Sequence, residues 1–143
     1  MFYKRIFVNS LSIFIILFLF CPALAQIRKV QKFKKVEIPF NLKHKDLIIK
    51  KGKYDFEIIA HRTLGIWNLR IQKKGKNICI VSGEVLRDKA PGARGDEMSD
   101  VPDDPTLKFR RIPAKKIVHI IFEMGKTSYL YPCYKVRFQM EYE

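Results

Sequence analysis

Acidic side chains are scarce in this 143-residue chain, in which 14 Asp and Glu stand against 28 Lys and Arg for a net charge of +14. That balance disfavours polycationic partners and points to polyanions. Only three histidines are present. His44, His61 and His119 form no His-x-His or His-x-x-x-His pair, and the cysteines form no Cys-x-x-Cys. No local zinc motif results. Serine beyond residue 25 is limited to Ser82, Ser99 and Ser128, none in a Gly-x-Ser-x-Gly elbow, so nothing nominates a nucleophile. Internal repeats and amphipathic helical periodicity are also missing. What is plentiful is apolar content, 48% of residues. Over this length it excludes a disordered chain and fits one small domain.

The first 25 residues have the layout of a secretory leader. Lys4 and Arg5 precede an apolar run, and Ala23-Leu24-Ala25 supplies small residues where a signal peptidase reads. Pro22 and the Ala-x-Ala ending favour removal over an uncleaved anchor, and bulky Phe20 before Cys21 does not suit lipid attachment. The expectation is export to the periplasm, cell envelope or exterior, with a single domain at 26–143 and no transmembrane segment after cleavage. Export would place Cys79 and Cys133 in an oxidising compartment. There they are either a disulfide or two separate buried thiols.

Charge is uneven along the chain. Asp96, Glu97, Asp100, Asp103 and Asp104 crowd into the stretch 87–105, which also holds Pro91, Pro102, Pro105, Gly92 and Gly95 and reads as an exposed acidic loop. Its spacing lacks the closing bidentate Glu of an EF-hand, so it reads as a solvated loop. Arg94-Gly95-Asp96 spells an adhesion tripeptide too short to carry weight.

Alternation with a period of two dominates the rest. Val136, Phe138, Met140 and Tyr142 interleave with Lys135, Arg137, Gln139, Glu141 and Glu143, a pattern that suits a strand with one buried face. Similar runs at 33–40, 53–60, 65–72, 77–86, 106–112, 115–124 and 128–134 make eight predicted strands. Gly75 in Lys73-Lys74-Gly75-Lys76 suits a four-residue hairpin loop, and Gly125-Lys126 a tight turn. Pro39, Pro113 and Pro132 mark strand ends or edges. Gly52 permits a sharp bend before a strand with Tyr54, Phe56 and Ile58 inward and Asp55 and Glu57 in water. The expected fold class is all-β, a single antiparallel β-sandwich or small β-barrel.

The segment Val36-Glu37-Ile38-Pro39-Phe40, followed by Leu47-Ile48-Ile49-Lys50-Lys51-Gly52-Lys53-Tyr54, resembles a group of small exported bacterial all-β proteins. In these a Val-Pro-Phe-like strand precedes a Leu-Pro-Ala-Gly-x-Tyr bend. The likeness covers about residues 36–82, with a fainter echo at Leu107-Lys108-Phe109-Arg110, and departs from the pattern at Lys50-Lys51. It implies export and a compact β-domain, and supplies no catalytic residues.

Basic residues interleave with apolar and aromatic ones at Lys34 and Lys35, at Lys50, Lys51 and Lys53, at Lys73, Lys74 and Lys76, and at Arg110 and Arg111. Brought together by strand pairing, they would form a platform for anionic envelope lipid or polysaccharide. Scattered, they would be a solvated shell. Nucleic acid is disfavoured by export and by the missing motifs of an RNA-binding sheet. The expectation is therefore a non-catalytic exported module without a cofactor, acting through a basic face. Two alternatives are a barrel enclosing an apolar ligand and a hydrolase with a cleft of scattered histidines and carboxylates.

Overall fold

The structure is a computed structural model that describes residues 27–61, 64–87, 101–125 and 134–143. The expected leader, most of the acidic loop, Lys126 of the predicted Gly125-Lys126 turn, all of the predicted strand at 128–134 except Tyr134, and Cys133 lie outside the described residues. Nine strands are present among the described residues: β1 (Ile27–Ile38), β2 (Leu42–His44), β3 (Leu47–Ile49), β4 (Gly52–His61), β5 (Ile66–Lys73), β6 (Lys76–Arg87), β7 (Thr106–Ile112), β8 (Ile117–Glu123) and β9 (Lys135–Tyr142). The fold is all-β, as the alternating pattern predicts.

All nine strands join one antiparallel sheet. Its main path runs β1-β4-β5-β6-β9-β8-β7, and the β2–β3 hairpin attaches where β9 parts from β6. The N-terminal half of β9 pairs with β6 from Lys135 to Phe138, while Glu141 and Tyr142 pair with Lys43 and Leu42 of β2. The lateral strands β1 and β7 are not paired with each other, so the sheet curls into a half-barrel with a seam between them.

Side chains from the two flanks meet across the interior. Phe33 of β1 packs edge-on against Phe122 of β8 at 6.1 Å between ring centroids, and Phe56 of β4 against Phe109 of β7 at 5.9 Å. Phe56, Ile58, Leu69, Ile71, Phe122 and Phe138 are fully buried, each such side chain contributing about 1.5–3 kcal/mol. Within the C-terminal run, Val136, Phe138 and Met140 are buried and Arg137 and Gln139 face outward, as expected.

Several sequence expectations are corrected. Residues 42–49 form a hairpin of two three-residue strands, too short for alternation to show, whose buried Leu42 and Ile49 lie opposite each other. The β5–β6 connection is the two-residue turn Lys74-Gly75, because Lys73 and Lys76 are already paired. Both turn residues have positive φ (50° and 76°), the geometry that matches strand twist. Residues 113–115 form a 3-10 turn with Pro113 at its start, so β8 begins at Ile117. Glu57 is buried rather than hydrated, because Lys29 and Arg70 close over it at 3.3 and 2.9 Å.

Candidate anion-binding rim

Strand register decides where the basic clusters go. Ile38 pairs with Gly52, Asp55 with Gln72, Lys73 with Lys76, Leu42 with Tyr142, and Ile117 with both Glu141 and Ile112. One end of the half-barrel therefore carries the end of β1, the β2–β3 hairpin, the start of β4, the β5–β6 turn and the β7–β8 turn. Lys50, Lys51 and Lys53 sit on the chain entering β4, and Lys73, Lys74 and Lys76 on the β5–β6 turn. Lys34 and Lys35 occupy the bulge of β1 opposite Tyr54 and Phe56. Tyr54 stitches two of these groups together: its hydroxyl donates to the Lys50 carbonyl at 2.7 Å, and its ring lies 4.9 Å beneath the Lys73 ammonium. Asn41 accepts from the Lys51 N–H at 3.0 Å, and Asp55 from the Lys35 N–H at 3.0 Å.

Arg110 and Arg111 part company, because neighbours on a strand face opposite sides. Arg110 stands across from His119 on the outer wall. Arg111 turns inward over the rings of Phe40 and Tyr142, at 5.4 and 5.9 Å. Sequence reasoning passed over Lys43, Lys115 and Lys116, which the start of β2 and the 3-10 turn bring to the same end, and Lys45, which the β2–β3 hairpin carries back beside Gln139 and Met140. The pairing of β2 with β9 puts Lys43 there, and those of β8 with β7 and β9 put Lys115 and Lys116 there, none of which a local pattern announces.

Two features set this rim apart from the wall. On the wall, several cations are matched, Lys29 and Arg70 with Glu57, Lys32 with Asp55, Lys135 with Glu123 and Arg137 with Glu84, while Lys108 and Arg110 make no salt bridge among the described residues. Among the described residues, the side chains of Lys34, Lys35, Lys50, Lys51, Lys53, Lys73, Lys74 and Lys76 make no salt bridge. In addition, Lys35, Lys45, Lys74 and Lys116 all have φ between 50° and 56°, left-handed backbone that favours Gly, Asn or Asp.

The other candidate chemistries do not converge. His44 lies in the β2–β3 hairpin, His61 at the opposite end of the sheet, and His119 on β8. Among the described residues no three His, Cys, Asp or Glu side chains group to hold a metal. Cys79 is half-buried on β6, and burial pushes its thiol up to about 11, so it stays protonated at neutral pH and is a poor nucleophile. Among the described residues no helix is long and apolar enough to cross a membrane. Comparison with protein-family profiles, with curated proteins and with solved structures finds no match to this chain.

Proposed function

We propose that this is an exported, non-catalytic β-domain that docks on anionic surfaces of the cell envelope, lipid or polysaccharide, through the basic rim. The observation that carries this reading is the gathering at one end of the sheet of lysines that make no salt bridge among the described residues. Unpaired surface ammonium groups repel one another, a cost that an anionic partner removes. Lysine at left-handed positions points the same way, since a residue kept against backbone preference is best explained by use of its side chain. The leader-like N-terminus and the likeness of residues 36–82 to exported β-proteins support the location.

An enclosed apolar ligand is less well supported, because aromatic rings from both flanks fill the interior. Vesicle sedimentation tests the proposal. Each lysine near an anionic surface contributes about 1 kcal/mol, so replacing Lys50, Lys51, Lys74 and Lys76 with Gln should weaken binding to phosphatidylglycerol vesicles by on the order of a thousandfold. Raising salt should weaken the wild type similarly. Salt-independent binding, or full binding by the quadruple variant, would contradict it.

A further inference from the structure

We propose that the seam of the half-barrel, where it opens onto the basic rim, binds a single-chain anionic amphiphile whose charged head is received by Arg111. This deepens the anion-binding reading and rests on it for the sign of the ligand. Arg111 lies over the rings of Phe40 and Tyr142 and makes no salt bridge among the described residues. With no carboxylate partner among the described residues, its fork of N–H donors is left to match the paired oxygens of a phosphate or carboxylate.

Beside it lies a groove of about 470 Å³ lined by Pro39, Phe40, Phe109 and Arg111. That volume falls in the range of small-ligand sites, about 300–1,000 Å³. Among the described residues the lining combines one proline and two aromatic rings with the Arg111 guanidinium, apolar contact for an alkyl chain beside a site for a charged head. The groove lies where β1 and β7 do not pair. An added peptide strand fits the β1 edge poorly, since bulges at Lys29/Gln31 and Phe33/Val36 interrupt its ladder. Arg111, the one charged residue in the described lining, selects an anionic head over a neutral one.

Calorimetry with dodecyl phosphate and dodecanoate below their micelle concentrations, beside ethyl phosphate and neutral dodecyl maltoside, tests the groove. The expected result is binding of both anionic dodecyl compounds, at least about tenfold tighter than either control. Arg111→Gln should lower dodecyl phosphate affinity about tenfold, the usual worth of a hydrogen bond to a charged group. Phe40→Ala should also lower it, while Lys50→Gln with Lys51→Gln should weaken vesicle binding and leave dodecyl phosphate in place. Emission from Trp67, packed in the core against Phe122 and Tyr134, verifies that each variant is folded. Equal binding of ethyl and dodecyl phosphate, or folded Arg111→Gln and Phe40→Ala variants that bind like wild type, would overturn the proposal. Failure of vesicle binding with Arg111-dependent dodecyl phosphate binding intact would overturn the docking reading and support the groove.

Discussion

Gly83 has no side chain because there is no room for one. It lies between Trp67 of β5 and Phe138 of β9, and a Cβ built there would stand 2.5 Å from the Phe138 ring and 2.6 Å from a Val136 methyl. Gly83→Ala should therefore destabilise the fold by about 1–3 kcal/mol through overpacking, read as a lower urea midpoint. An unchanged midpoint would mean that the Phe138 ring is not held where it is described. The sequence offers no warning of this, since a glycine within a strand pattern indicates close approach without saying of what. Glu57 is a similar case. Its place in the polar phase of β4 argues for water, and only the register that sets Arg70 beside it, with the approach of Lys29 from β1, makes burial tolerable.

At the level of elements, turns that could be made of Asn and Gly are made of Lys. In the β5–β6 turn Lys74 holds φ 50° ahead of Gly75, where Asn-Gly is the preferred pair. Lys74→Asn should therefore raise stability by about 0.5 kcal/mol, since left-handed backbone costs an ordinary side chain about 1–2 kcal/mol and Asn less. The same substitution should weaken binding to anionic vesicles about fivefold, as loss of one surface lysine implies. Stability and affinity moving in opposite directions would separate use of this side chain from structural need, and a loss of both would place Lys74 in the fold alone. Strands with long alternation, such as β9, were legible from the sequence because each second residue is buried. The β2–β3 hairpin was not, because three residues are too few for a period and its partner β9 lies almost a hundred positions away.

Across the whole molecule, a basic end opposes an end that carries Asp103 and Asp104 before β7. The lysine clusters were legible as local runs, but their convergence depends on pairings between strands distant in sequence, and the same runs in another topology would be a solvated shell. Curling a single sheet instead of closing it also leaves β1 and β7 unpaired at the aromatic groove under Arg111. The most direct test of docking through the basic end is lysine acetylation of the protein bound to phosphatidylglycerol vesicles, with modified sites read by mass spectrometry. The account predicts strong protection of Lys50, Lys51, Lys53, Lys73, Lys74 and Lys76, with Lys29, Lys108 and Lys135 on the wall as reactive as in the free protein. Uniform protection, or protection confined to the wall, would contradict it.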